Sequence, residues 1–140
     1  MRTDGSDLNG GRTNTAGGAF QTIQKALNVA ATIDFNGFGV TIQLGDGTYA
    51  FGGVVPVTVG QANISDLVVS GNAAAPGNVI VSTTSASCFV TAAGARVRIL
   101  DMELRTTTLG HCLQAVAGSV IAFDNIRFGA CARAHLSARG

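Results

Sequence analysis

Several residue types are scarce in this chain. Its 140 residues include no tryptophan, one tyrosine and two prolines, and charged residues make up only 12%. The formal net charge of +1 disfavours an electrostatic nucleic-acid binder, because such proteins carry a clear excess of positive charge. No apolar run approaches the roughly 20 residues that span a bilayer, so we expect no membrane insertion.

Cysteine is also rare, and the first residues lack the layout of a signal peptide. Three cysteines are an odd number, which together with the missing export signal predicts reduced thiols rather than a disulfide framework.

What the sequence has in quantity is glycine and apolar residues. Nineteen glycines accompany a hydrophobic fraction of 46%. This composition is wrong for a disordered chain, which needs low hydrophobicity and high net charge. It is typical of a domain with many short strands and tight turns, where glycine supplies backbone angles that other residues avoid.

One amphipathic helix is predicted near the start of the chain. Phe20, Ile23, Leu27 and Ala30 recur at helical spacing, and the stripe ends near residues 34–37, where asparagine and glycine tolerate a left-handed cap. We therefore divide the chain into residues 1–36, a loop and a capping helix, and residues 37–140, which form strands.

Beyond residue 39 the apolar period falls to two, which indicates short strands. Apolar and polar residues alternate over residues 40–44. Val55, Val57 and Val59 repeat the alternation, with Pro56 on the outward side.

An internal repeat of 24 residues follows. The segment that begins at Cys88 aligns with the one that begins at Cys112. Both copies change the phase of their apolar positions at the same place, which predicts a shared corner at residues 100–101 and 124–125. The matched apolar pairs are Phe89 with Leu113, Val97 with Ile121, Ile99 with Phe123, Met102 with Ile126, and Leu104 with Phe128.

A fixed period of this length marks a solenoid. The period-two alternation excludes a helical solenoid and leaves an all-β, right-handed, single-stranded parallel β-helix with an N-terminal capping α-helix. The handedness follows from the rule for parallel crossovers. Upstream coils are longer, at 27 residues from Ile42 to Val69 and 30 from Val69 to Ile99, and the turn at residues 72–78 accounts for the longer one.

The two ends of the solenoid differ. The helix covers the first end, because open strand edges invite aggregation. Residues 135–140 look like the start of another coil, so we expect the coils to continue beyond Gly140; a partner chain that caps the end is the alternative. Ile99→Asp or Phe123→Asp is expected to abolish folding, because each would bury an unpaired charge.

The sequence resembles the N-terminal portion of pectin-lyase-like β-helix proteins from bacteriophage and prophage tails, that is, tail fibres and tailspikes. The likeness covers nearly all 140 residues and is carried by residues 3–7, 20–27, 40–44, 46–49, 72–81 and 123–131. It implies a homo-oligomer, commonly a trimer, and a cell-surface polysaccharide as a possible partner. The superfamily includes lyases, glycoside hydrolases, esterases and inert fibres, so the fold alone decides no activity.

Two acids are the only candidates for catalysis. Cleavage of a polysaccharide needs two carboxylates roughly 5 to 10 Å apart. Asp101 and Asp124 lie at neighbouring corners and are the acids that can approach each other, although a corner role is the ordinary interpretation. Arg98 and Arg105 flank Asp101, but one acid is a poor calcium site.

The remaining charged and metal-binding residue types suggest structure rather than chemistry. Glu103 aligns with Arg127 on the next coil, which predicts a surface ion pair. A zinc site would have to combine His111, Cys112, Cys131 and His135. Neighbours in a strand point to opposite faces and the spacings miss the usual patterns, so we expect no metal and no cofactor. Cys88 and Cys112 are expected to stack as thiols.

These observations favour a structural module of a phage tail, located in the virion and assembled in the bacterial cytoplasm, with no active site of its own. The alternative is the N-terminal part of a polysaccharide-degrading enzyme whose site lies in further coils. A third hypothesis is a complete protein from a decayed prophage with no selected activity.

Overall fold

The computed structural model describes all 140 residues, and the chain winds into a parallel β-solenoid of about four coils. In chain order the elements are α1 (Ile23–Ala31), β1 (Val40–Gln43), β2 (Gly47–Tyr49), β3 (Gly53–Val55), β4 (Leu67–Ser70), β5 (Val79–Ser85), β6 (Phe89–Thr91), β7 (Arg96–Leu109), β8 (Leu113–Ala115), β9 (Val120–Phe128) and β10 (Leu136–Ala138), with 3₁₀ turns at Ile64–Asp66 and Pro76–Asn78. This is the all-β parallel β-helix with one short helix that the sequence predicts.

Two parallel sheets run along the solenoid. The larger sheet has the order β1-β4-β7-β5-β2, and β9 pairs with β7 as a further strand. The smaller sheet has the order β10-β8-β6-β3. β7 contributes two strand positions, because its first half pairs with β4 and its second half pairs with β5.

The coil register agrees with the sequence periods. Val69 pairs with both Ile42 and Ile99, which confirms the 27- and 30-residue spacings. The 24-residue repeat is confirmed at every matched position, namely Phe89 with Leu113, Val97 with Ile121, Ile99 with Phe123, Met102 with Ile126, and Leu104 with Phe128.

Helix α1 is shorter than its apolar stripe. The Thr22 hydroxyl accepts a hydrogen bond from the Lys25 amide at 3.2 Å, so the helix begins at Ile23 and leaves Phe20 in the preceding loop. The left-handed residues Asn36 and Gly37 lie beyond the end of the helix rather than capping it. The structure thus corrects both ends of the predicted helix.

The same helix covers the outer edge of β3. The side-chain amide of Gln24 accepts from the Val54 amide at 2.7 Å and donates to the Val54 carbonyl at 3.0 Å. One glutamine therefore takes the place of a neighbouring strand. Gly53 is required beside it, because a Cβ there would overlap the Leu27 side chain.

The predicted alternation after Val55 is wrong. Val55 is buried, but Val57 and Val59 are 56% and 62% exposed. Their neighbour β6 ends at Thr91, so β3 has no partner strand to follow beyond Val55. Thr58 takes the buried position instead, and its hydroxyl donates to the Gln61 side chain at 2.7 Å.

Burial falls towards the last coil. The core is one cluster of 23 buried residues that runs from Phe20 to Leu113. In the last coil Ile121, Ile126 and Phe128 are only partly buried, and Phe123 is 40% exposed. The expectation that Phe123→Asp would bury a charge is therefore wrong, because no further coil covers this side chain. No helix in the structure has the length and apolar character needed to cross a membrane.

Candidate functional site

Asp101, the first candidate carboxylate, lies where β7 bends. Its φ is 59°, in the left-handed region. Asn125 occupies the same corner on the next coil with φ 50°, and its Nδ2 donates to Asp101 Oδ1 at 2.8 Å. The Ser70 hydroxyl donates to Oδ2 at 3.3 Å. Both oxygens of Asp101 are therefore engaged in fixing the corner.

Asp124, the second candidate, has a different set of neighbours. It is in register with Leu100, and its Oδ1 accepts from the Asn125 amide at 2.9 Å. Its Oδ2 lies 4.0 Å from a guanidinium nitrogen of Arg98, and the side chain is 74% exposed. An ion pair this exposed contributes little to stability.

The two acids lie on adjacent coils, as the sequence predicts, but they do not line the main groove of the molecule. Glycosidic cleavage needs an acid and a second carboxylate on either side of a bound sugar. Asp101 is instead held by side chains of the coils before and after it. The geometry supports a structural role for Asp101 at the corner.

A third acid belongs to the same corner, and the sequence gave no sign of it. Asp46 accepts hydrogen bonds from the side-chain amides of Asn72 at 2.9 Å and Asn78 at 3.0 Å. The Asn72 amide donates to the Asp101 carbonyl at 2.9 Å. Asp46, Asn72, Asp101 and Asn125 thus form a continuous column, which we call the corner ladder. The signal that could have found it is one Asp or Asn per coil at the corner.

The predicted ion pair between Glu103 and Arg127 is wrong, although the register that suggested it is right. The two residues are paired across β7 and β9. Glu103 contacts the Arg105 guanidinium at 3.4 Å instead. The Arg127 guanidinium lies against Gly77, in the 3₁₀ turn of the longer coil, where the absence of a side chain leaves room for it.

The residues considered for zinc are divided among separate contacts. Nδ1 of His111 accepts from the Ala134 amide at 3.3 Å, and its buried Nε2 has no partner. His135 stacks on Phe128 with 5.2 Å between ring centroids, and its Nε2 lies 3.0 Å from the Gly129 carbonyl. No group of three or more His, Cys, Asp or Glu side chains is placed to hold a metal ion.

The cysteines form a column of free thiols inside the solenoid. Cys88 and Cys112 are fully buried in adjacent coils, and Cys131 is partly buried at the last coil. The Thr106 hydroxyl donates to Cys131 Sγ at 3.4 Å. The neighbouring Cys88 thiol and burial both raise the pKa of Cys112, so this thiol stays protonated and unreactive at neutral pH.

Aromatic side chains are more exposed than the sequence suggested. Phe38 and Phe51 are 78% and 76% exposed, although most phenylalanines were expected inside. Tyr49, the only tyrosine, is buried. Its hydroxyl donates to the Gly45 carbonyl at 2.9 Å, so it offers no platform for a sugar ring.

The comparisons with known proteins leave the fold as the firm result. No family model, no characterised protein and no solved structure matches this chain. What the chain does is therefore argued from its own geometry.

Proposed function

We propose that this chain is a structural β-solenoid module of a phage or prophage tail fibre or tailspike, which supports host-surface recognition. The observation that supports a structural role is the corner ladder, where the side chains of Asp46 and Asp101 accept hydrogen bonds from neighbouring turns and coils. Acids that are committed to packing of coils serve rigidity. The phage assignment is supported by the sequence resemblance alone.

The exposed segment Phe51–Val59 supports association into an oligomer. Four large apolar side chains in it are at least half exposed, namely Phe51, Val54, Val57 and Val59. Large exposed apolar patches mark protein contacts more often than they occur by chance. We propose that the module forms a homotrimer through this segment, with a cell-surface polysaccharide bound further along the assembled fibre.

The location is tested on phage particles. Cultures of the organism that encodes the chain are induced for prophage, and the particles are purified and labelled with antibodies against the chain. We expect label on the tail and an intact mass above 14.1 kDa for the labelled protein. Label that is confined to the particle-free cytosol would refute the tail assignment. Release of sugar reducing ends by the purified protein would favour the enzyme alternative.

The oligomer is tested by light scattering. The double variant Val57→Glu with Val59→Glu should dissociate the trimer to the 14.1 kDa monomer, because it places charges in an apolar contact. Thr84→Glu and Ser85→Glu, exposed on another part of the surface, form the matched control and should leave the mass unchanged. A parent chain that is already monomeric at high concentration would refute the trimer.

A further inference from the structure

A groove of about 1050 Å³ runs along the outer edge of β1. Helix α1 forms one wall, with Ala26, Ala30 and Ile33, and residues 40–44 form the other. The loop at residues 10–14 closes the third side. The groove is at the upper end of the size range of ligand pockets, which is about 300–1,000 Å³.

The strand edge in this groove is not fully paired. The Leu44 amide donates to the Ser70 carbonyl at 2.8 Å, so the even-numbered residues of β1 point their backbone groups at β4. In a parallel ladder the odd-numbered residues then point theirs the other way. The amides of Thr41 and Gln43 and the carbonyl of Thr41 therefore face the groove without a partner strand.

One residue already pairs with this edge. The Met1 nitrogen donates to the Gln43 carbonyl, and the Met1 carbonyl accepts from the Gly45 amide at 2.8 Å. This is the bonding of a single parallel-strand residue opposite Leu44. The free edge beside it is continuous with that pairing and runs towards Val40.

The charges at the groove favour an anion. The α-ammonium of Met1 lies at one end of the free edge, and Arg12, which also lines the groove, forms no ion pair. The only acid in the lining, Asp46, already accepts hydrogen bonds from Asn72 and Asn78.

We propose that this groove binds the free C-terminal end of an extended peptide, which adds to β1 as a parallel strand. The last residue of the peptide lies opposite Ile42. Its amide donates to the Thr41 carbonyl, one carboxylate oxygen accepts from the Gln43 amide, and the other contacts the Met1 ammonium. Residues opposite each other in a sheet point to the same face, so the last side chain points inward, as Ile42 does. It is apolar, because helix α1 lines that side of the groove.

Such a site goes beyond a rigid shaft. Strand addition obtains affinity from main-chain hydrogen bonds and specificity from side-chain pockets. The module would then hold the C-terminal tail of a neighbouring protein at its first coil.

The probe is an acetylated pentapeptide of alternating threonine and valine that ends in valine with a free carboxylate. Binding of its fluorescent form to the 140-residue chain is followed by anisotropy at about pH 6, because burial lowers the pKa of the Met1 ammonium from its ordinary value. We expect saturable binding, weakened at least tenfold when the peptide is amidated. Equal binding of the acid and the amide would overturn the proposal, as would no saturation up to millimolar peptide.

Thr41→Pro tests the strand edge itself. Proline removes the amide that faces the groove but leaves the β1–β4 ladder intact, and proline is accepted at such edge positions. We expect at least a tenfold loss of binding, whereas Thr41→Ser, which keeps the amide, should bind like the parent. If Thr41→Pro does not fold, N-methylation of the last peptide residue removes the bond to the Thr41 carbonyl in the unaltered protein and should cause a similar loss. Unchanged binding of that N-methyl peptide would refute the strand geometry.

Discussion

At the scale of single residues, Tyr49 shows how burial alters chemistry in the first coil. Burial, the largest cause, raises the pKa of Tyr49 to about 12, although its hydroxyl donates to the Gly45 carbonyl. The folded protein therefore keeps this proton at a pH where the unfolded chain, with a tyrosine pKa of about 10, has lost it. The stabilisation is complete below pH 10 and is lost as the pH rises towards 12.

Tyr49 can be titrated directly. It is the only tyrosine and there is no tryptophan, so the tyrosinate absorbance near 295 nm reports this group alone. We expect a midpoint near pH 12 in the folded protein and near 10 in urea. The free energy of unfolding should fall by on the order of 2 kcal/mol across that interval, and Tyr49→Phe should remove this part of the slope. A midpoint near 10 in the folded protein would show that Tyr49 is solvated.

A second residue-scale prediction concerns the corner ladder. Asp101→Ala loses the hydrogen bonds from Asn125 and Ser70 and places an alanine at φ 59°. Left-handed backbone costs a residue with a Cβ about 1–2 kcal/mol, and a lost hydrogen bond about 1 kcal/mol more. We expect a decrease of about 2–3 kcal/mol in urea unfolding.

The control is Asp101→Asn, because asparagine tolerates the same backbone angle and retains an oxygen acceptor. It should lose less than half as much stability. Equal losses for both variants would mean that charge, and not backbone geometry, determines the cost at this corner.

Sequence periodicity predicted the positions of the corners but not their chemistry. The shared phase shift located Asp101 and Asn125, because the alternation of side chains across a strand is a backbone property. The contact between Glu103 and Arg105 could not be predicted, since it depends on where long side chains turn. Arg127 is drawn away from Glu103 by the space above Gly77, which belongs to a coil 50 residues earlier in the chain.

At the scale of elements, the helix cap depends on one side chain. Gln24 makes both hydrogen bonds to the backbone of Val54 and also donates to the Asn28 side chain at 2.8 Å. Gln24→Ala should leave the edge of β3 open to water and lower the free energy of unfolding by about 1–2 kcal/mol. Thermal unfolding followed by circular dichroism measures the change.

Gln21→Ala is the matched control, because Gln21 is exposed and its side chain forms no hydrogen bond. It should melt within about 0.5 kcal/mol of the parent. Similar losses for both glutamines would mean that Gln24 acts through helix propensity and not as an edge cap.

The limits of each element were harder to predict than its existence. The apolar stripe of α1 extends to Phe20, but the Thr22 cap decides where the helix begins. Val57 and Val59 have a strand-like alternation, yet strand pairing depends on where the neighbouring β6 ends. Both errors arise because a periodic pattern contains no information about the partner that ends it.

At the scale of the whole molecule, the stack becomes less buried from the middle to the last coil. Ile99 is fully buried between β4 and β9, whereas Phe123, its pair on the next coil, is 40% exposed. Ile99→Asp should prevent folding or cost more than about 4 kcal/mol, because an unpaired charge would be buried. Phe123→Asp should cost clearly less and still give a cooperative transition.

Urea unfolding of the two variants, followed by circular dichroism, measures this difference. Ile99→Val is the volume control and should cost about 0.5–1.5 kcal/mol. If Phe123→Asp were as damaging as Ile99→Asp, the last coil would be covered in solution, and a self-associated end would be the first explanation to examine by light scattering.

The 24-residue register also makes length a countable property. Parallel strands stack about 4.8 Å apart, so each tandem duplication of residues 95–118 would lengthen the rod by about that amount while both ends keep their surfaces. An insertion of any other size would displace Asp101 and Asn125 from each other's reach. The gene could therefore change the reach of the molecule only in whole steps, like the marks on a ruler.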